Sequence, residues 1–388
     1  MIACAIAFGA CTSAPRDEAR PTFVRVDWRN LTGYATDRLH EAWPAFIVGC
    51  KALVARATTA LIWTPPCTAA QSVDGRDERA VRGFFENHFS PYKIVDAAGS
   101  DHGLVTGYYE ARLAGSREKA TGFGVPLYAR PADLLTIDIG DLHPELAGRR
   151  VRGRSDGSRV VSYWPRADIV RGKAPPESRA LAWLADPLDA FFLEVQGSGR
   201  IVLADGTVMR VGYADQNGHP YRAIGRVLVE RGEMKLEEVS LQSIRAWAQR
   251  HPERVAALLD ENPSYVFFRE LPAPPEGSLE ASINGPIGSL GVPLLAQRTI
   301  AVDGSIVPLG APVWLATSMT QNNEALQRLV MAQDTGGAIR GAVRADYFFG
   351  FGEEAMQRAG TMRQQGRMWL LWPQGAALPD PRKPSAPR

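Results

Sequence analysis

The chain has 388 residues, 45% of them hydrophobic and 22% charged, which supports a sizeable buried core and excludes a largely disordered protein. A formal net charge of +2 is too balanced for the concentrated basic surface that nucleic-acid binding needs. The 37 glycines and 28 prolines favour many turns, hence a β-rich fold in two domains or one domain with a large insertion.

The chain opens on MIACAIAFGACTSAPRDEARP, where residues 2–10 are apolar or small. That run is too short to span a bilayer, and residues 1–20 read as a signal or lipoprotein-like segment. Small residues before Cys11 make it a lipidation candidate, with plain secretion as the alternative. Cys50 and Cys67 flank a predicted helix, KALVARATTALIW, and in an exported chain they form a candidate disulfide. Two buried thiols are the other possibility.

Residues 38–90 are predicted to be helical. In RDERAVRGFFENHFSPYKI, Val81, Phe84, Phe85 and Phe89 fall at helical spacing and are expected in the core. From GLVTGYYEARLAGS to about residue 215 the pattern is strand-rich, including AFFLEVQGSGRIVLADGTVMRVGYADQNGHPY. Asp156-Gly157, Asp205-Gly206 and Asn217-Gly218 mark tight hairpins. Helices return with YRAIGRVLVERG, where Ile224, Val227 and Leu228 form an apolar stripe, and with SLQSIRAWAQRHPERVAALLDENPSY. A second strand-rich block begins at NPSYVFFRE and runs through the segment 331–352 to RMWLLWP; the Pro-rich tail 374–388 is expected to be disordered. Two β-rich blocks joined through helices suggest a barrel with a second barrel inserted into it.

Several chemistries are absent from the sequence. There is no HExxH or GxxxxGK motif, and the six histidines are scattered. No metal and no cofactor is expected. Carboxylate chemistry remains, centred on MAQDTGGAIRGAVRADYFFGFG. Asp346 sits among Val343, Ala345, Tyr347, Phe348 and Phe351, and apolar surroundings resist ionisation. A carboxyl that keeps its proton near neutrality can protonate a leaving oxygen, worth roughly 10²- to 10⁴-fold in rate. The alternative is that Asp346 caps the helix GEEAMQRAG or satisfies a turn. Gly336 and Gly337 allow close backbone approach to a ligand. Tyr108, Tyr109, Tyr347 and Trp314 are candidate faces for sugar rings, and Asp334 either orients a hydroxyl or holds a turn.

The stretches VTGYYEA (105–111), DAFFLEVQGSGRIVLADG (189–206), MRVGYADQNGHPYRAIGRVLVERG (209–232), NPSYVFFRE (262–270), GSLGVPLLAQRTIAVDGSIVPLGAPVWL (288–315) and DTGGAIRGAVRADYFFGFGEEAMQRAG (334–360) carry a resemblance. Together the sequence resembles the bacterial membrane-bound lytic murein transglycosylase A family. The resemblance implies a double-psi β-barrel from residues 21–109 and 264–373, a smaller barrel inserted at 110–263, and a groove between them for a glycan strand. It implies cleavage of the β-1,4 bond between N-acetylmuramic acid and N-acetylglucosamine with formation of a 1,6-anhydro ring. Asp346 matches the position of the proton-transferring aspartate, and Asp334 a second acidic position. Thr106, Gly107, Tyr108 and Tyr109, and Gln196, Gly197, Ser198 and Gly199, match loops that line the groove; Arg340 is grouped with Gly336 and Gly337. The implied setting is the periplasm, with peptidoglycan as partner and an outer-membrane lipid anchor as an option. An inverting hydrolase using Asp334 and Asp346, and a non-catalytic peptidoglycan-binding lipoprotein, are the rival readings.

Overall fold

The computed structural model describes residues 21–143, 151–173, 180–320 and 323–380. Cys11 and the signal-like segment lie outside the described residues. Among the described residues no helix is long and apolar enough to cross a membrane.

The chain begins with β1 (Thr22–Arg25) and a helical layer of α1 (Trp43–Val54), α2 (Ala57–Ala69) and α3 (Glu78–His88). The helix predicted across KALVARATTALIW is in fact two, broken between α1 and α2 at Ala55 and Arg56. That break makes the disulfide possible. In one straight helix, a separation of 17 residues would hold the cysteines about 25 Å apart. Folded back, Cys50 and Cys67 have Cα atoms 5.6 Å apart and are bonded. Asp77 caps α3 by accepting from the amides of Arg79 and Ala80. Val81, Phe84 and Phe85 are buried as expected. Phe89 is buried too, but it opens β2 (Phe89–Val95), because Pro91 biases the preceding backbone toward extended conformations.

The middle of the chain contains β3 (Gly103–Ser116), β4 (Val125–Tyr128), β5 (Leu135–Ile137), β6 (Val151–Asp156), β7 (Arg159–Ser162), α4 (Arg166–Val170) and β8 (Ala180–Leu184). Next come α5 (Pro187–Gln196), β9 (Ser198–Val202), β10 (Val208–Gln216), α6 (Ile224–Glu230), α7 (Leu241–Arg250), α8 (Val255–Leu259), β11 (Val266–Glu270) and α9 (Leu279–Ile283). The chain closes with β12 (Thr299–Val302), β13 (Pro312–Ser318), β14 (Ala325–Thr335), β15 (Ala345–Phe351), α10 (Glu353–Thr361) and β16 (Arg363–Pro373).

Local chemistry explains where these elements depart from the expected ones. AFFLEVQ, read as strand, is helix α5: Asp186 caps it, Pro187 starts it, and Gly197 ends it with φ +74°. Asp156-Gly157 and Asp205-Gly206 do turn the hairpins β6–β7 and β9–β10. Asn217-Gly218 does not join two strands. Asn217 is buried and donates to the carbonyls of Trp164 and Pro263, tying the end of β10 to the chain ahead of β11.

Strand pairing closes a barrel. β3 pairs parallel with β15, β15 antiparallel with β12, and β12 parallel with β14; β14, β13, β16 and β3 then pair antiparallel in turn. Closure removes every free edge from this circuit. The parallel pairs are consistent with the double-psi barrel that the resemblance implies.

β3 then runs on into a second circuit. Its far half pairs with β9, followed by β10 and β11, while its end pairs with β8 and so with β4. A bridge between Ala129 and Phe268 brings the chain after β4 against β11. One strand of 14 residues, about 45 Å long, is therefore a stave of both barrels. Two expected boundaries shift. β11 hydrogen-bonds to β10, so residues 266–270 belong with the second barrel and the boundary expected at residue 263 is too early. The tail expected to be disordered from residue 374 is held at its start, since the Gln374 amide donates to His88 O at 2.9 Å and Trp372 Nε1 donates to Ala377 O at 2.9 Å.

Candidate active site

Four adjacent strands of the first barrel set one row of residues side by side. Asp334 on β14 pairs with Ala301 on β12, Ala301 with Asp346 on β15, and Asp346 with Thr106 on β3. Two strand spacings put the aspartate Cα atoms about 10 Å apart. Ala301 gives the row only a methyl group between the two acids. Beneath lies a small apolar cluster of Tyr108, Leu294, Ala301, Ile339 and Phe348.

Asp346 is half-buried, and it caps no helix: α10 starts after Gly352. Thr106 Oγ1 donates to Asp346 Oδ1 at 2.7 Å, and Arg344 Nη2 donates to Thr106 Oγ1 at 2.9 Å. Asp346 Oδ2 has no hydrogen-bond partner among the described residues. Burial pushes the Asp346 carboxyl above the ordinary carboxylate range; the Thr106 hydrogen bond and the Arg344 charge pull back less strongly. The carboxyl therefore holds its proton to higher pH than an ordinary aspartate, while Oδ2 has no hydrogen-bond partner among the described residues.

Asp334 is held at both oxygens. The Ser289 amide donates to Oδ1 at 2.8 Å, and the Tyr108 hydroxyl donates to Oδ2 at 3.1 Å. Burial raises its pKa as well, against those hydrogen bonds. Ser289 Oγ and Thr335 Oγ1 lie 2.7 Å apart and fix the loop that supplies the amide. Tyr108 also packs its ring on Phe348, with centroids 5.1 Å apart.

The remaining expected site residues divide. Thr106 and Tyr108 share one face of β3 with the acids. Gly107 points away: a Cβ there would meet Phe349 and the backbone of Ala359, so this glycine admits α10 against β3. Tyr109 is buried on that opposite side, and its amide donates to Gln196 Oε1 at 3.2 Å, placing Gln196 at the junction of the barrels. Gly197 is the cap of α5, Ser198 is buried at the start of β9, and a Cβ on Gly199 would collide with Leu193. Gly337 is exposed, and a Cβ there would meet nothing. Arg340 is also exposed, 3.9 Å from Asp303. Trp314 and Tyr347 are buried in the core and offer no face to a sugar.

Sequence reading missed Arg344, Ala301 and Ser289. Arg344 had a legible signal, because residues two apart in a strand share a face and it stands two before Asp346. Ser289 had none: it reaches Asp334 from a loop distant in the chain. Phe351 joins the face of Phe348 through a bulge at Gly350, where φ is +105°.

The MltA specific insert domain model matches residues 104–269, and the 3D domain model matches residues 298–372. The chain is 34% identical over 304 residues to membrane-bound lytic murein transglycosylase A of Escherichia coli K12, covering 76% of this chain and 72% of that protein. The crystal structure of a membrane-bound lytic murein transglycosylase from Agrobacterium tumefaciens superposes with a TM-score of 0.80 at 32% identity, over 91% of this chain and 98% of that one. MltA of E. coli with bound chitohexaose superposes with a TM-score of 0.67 at 26% identity, over 90% and 94% of the two chains. The β-rich blocks, the stave shared between barrels and the row of acids thus sit in a chain that belongs to the membrane-bound lytic murein transglycosylase A family.

Proposed function

We propose that this protein is a peptidoglycan lytic transglycosylase in which Asp346 serves as acid and then as base. One observation carries the reading: a half-buried carboxyl with a raised pKa, fixed at Oδ1 and, among the described residues, unbonded at Oδ2. Protonated Asp346 gives its proton to the oxygen bridging N-acetylmuramic acid and N-acetylglucosamine, and the C1–O bond breaks. An oxocarbenium-like centre develops at C1. The resulting carboxylate takes the proton of the muramyl C6 hydroxyl, whose oxygen closes on C1 as a 1,6-anhydro ring. No water is added, and Asp346 ends protonated as it began.

The engagement of Asp334 supports this over inverting hydrolysis. Each Asp334 oxygen already accepts one hydrogen bond, from the Ser289 amide and the Tyr108 hydroxyl, which fixes the carboxyl and lowers its basicity toward a water. Asp334 is instead a second fixed dipole beside the sugar, with Tyr108 locked against it. The family resemblance and the chitohexaose bound by the E. coli relative support a glycan occupant. Gln196, Gly337 and Arg340 are proposed to contact that glycan, and we place the protein in the periplasm with Cys11 as the lipidated anchor.

Purified sacculi incubated with the wild type should release muropeptides with anhydro ends. Asp346→Asn should still sediment with sacculi but release material at least about 100-fold more slowly. Undiminished release by Asp346→Asn contradicts the assignment. New reducing ends from the wild type would favour the hydrolase reading.

A further inference from the structure

Resting on the reading of Asp346 as the acid, we propose that Arg344 is a positioning residue, acting through the Thr106 hydroxyl to direct the proton of Asp346 onto its unbonded oxygen. Arg344 is half-buried at the entry to β15. Its guanidinium donates to Leu104 O at 3.4 Å, to Ala345 O, and to Thr106 Oγ1 at 2.9 Å. All three acceptors are uncharged, and among the described residues no carboxylate contacts this guanidinium directly. A partly buried cation of this kind is costly unless something answers its charge.

The hydroxyl of Thr106 has one proton. Arg344 carries donors and no acceptor, so it occupies a lone pair of Thr106 Oγ1 and never takes that proton. The proton must then go to Asp346 Oδ1, 2.7 Å away. With Oδ1 permanently accepting, a protonated Asp346 carries its own proton on Oδ2. That is the oxygen left free among the described residues, where a glycosidic oxygen would lie. Once Asp346 has given up its proton, the same relay connects the new carboxylate to a cation. The device therefore aims the acid and moderates the cost of the charged intermediate state.

The surroundings leave few competitors for this role. β3 presents Thr106 and Tyr108 to the carboxyl, β14 presents Asp334, and β12 presents Ala301. Asp303, at the end of the β12 segment, is committed to Ser305 and the Gly341 amide. α10 packs behind, where Arg358 lies over the Phe349 ring rather than beside the acids. Arg344 and Asp334 act on Asp346 in opposite senses, the first lowering and the second raising its pKa.

The test is the pH dependence of kcat/KM on a soluble glycan strand for Arg344→Met, Arg344→Lys and Thr106→Val, with thermal unfolding of each. Losing a charge-assisted hydrogen bond in the relay should lower kcat/KM about ten- to a hundred-fold in Arg344→Met and Thr106→Val. In both variants the alkaline limb should move to higher pH, because support for the carboxylate is gone. Arg344→Lys keeps the charge, so its limb should stay near the wild-type position while kcat falls. The double variant Thr106→Val/Arg344→Met should be no worse than the poorer single, as befits one relay. An alkaline limb unmoved in Arg344→Met, or fully additive losses in the double variant, overturns the proposal. If Arg344→Met fails to fold, an unmoved limb in Thr106→Val does so alone. Retained turnover in Asp346→Asn would instead undercut the reading beneath it, which keeps the two failures distinct.

Discussion

Gly107→Ala separates a glycine needed for packing from one open to a ligand. An added Cβ at residue 107 would lie 2.5 Å from Phe349 Cε2 and 2.9 Å from Ala359 Cα. The phenyl ring can rotate, but the second contact is helix backbone, so α10 must move off β3. Overpacking of this kind costs about 1–3 kcal/mol. β3 carries Thr106, so the same shift disturbs the Asp346 hydrogen bond and turnover falls as well. Gly337→Ala is the control, because its Cβ meets nothing within 4 Å and the residue is exposed. Its stability should stay within about 0.5 kcal/mol of the wild type. Urea unfolding at constant m-value measures both. Equal stability of Gly107→Ala and wild type, with chitohexaose affinity lost, would refute the packing argument and return Gly107 to the ligand.

Three further outcomes follow from the structure. Tyr108→Phe removes the hydroxyl on Asp334 Oδ2 while keeping the ring on Phe348, and should lower kcat/KM about ten-fold with KM little changed. Replacing Cys50 and Cys67 together with serine opens a loop spanning 17 residues and should cost about 3 kcal/mol in unfolding measurements, an effect that reduction of the wild type should reproduce. Asp346→Asn should be more stable than the wild type at neutral pH. The folded carboxyl has a pKa above its ordinary 3.8, so the folded chain binds the proton more tightly than the unfolded one, and wild-type stability falls as pH rises from that value. The melting-temperature gap between variant and wild type should close as pH falls toward 4.

Much of the site was legible because local pattern and site coincide there. Period-two alternation through RADYFF puts Arg344, Asp346 and Phe348 on one face and Ala345 and Tyr347 on the other, as the structure has it. The disulfide was legible from the number and placement of the cysteines, but the helix break that permits it was not, since Ala55 and Arg56 carry no stop signal. AFFLEVQ misled because a short apolar run fits helix and strand alike; the cap at Asp186 and the glycine at 197 were the deciding signals. Gly107 and Gly199, which the resemblance implies line the groove, have protein atoms where a side chain would stand, a packing demand with no local sequence signal. Contacts such as Ser289 with Asp334, or Asp37 with Arg298 at 2.8 Å across the first barrel, depend on the barrel closing and leave no local trace.

Digestion of sacculi in water enriched in heavy oxygen tests most directly whether the muramyl C6 hydroxyl, deprotonated by Asp346, is what captures C1. Muropeptides with anhydro ends and no heavy label at C1 are expected. Label at C1 of new reducing ends, formed at the wild-type rate, would show that water is the nucleophile and contradict capture by that hydroxyl.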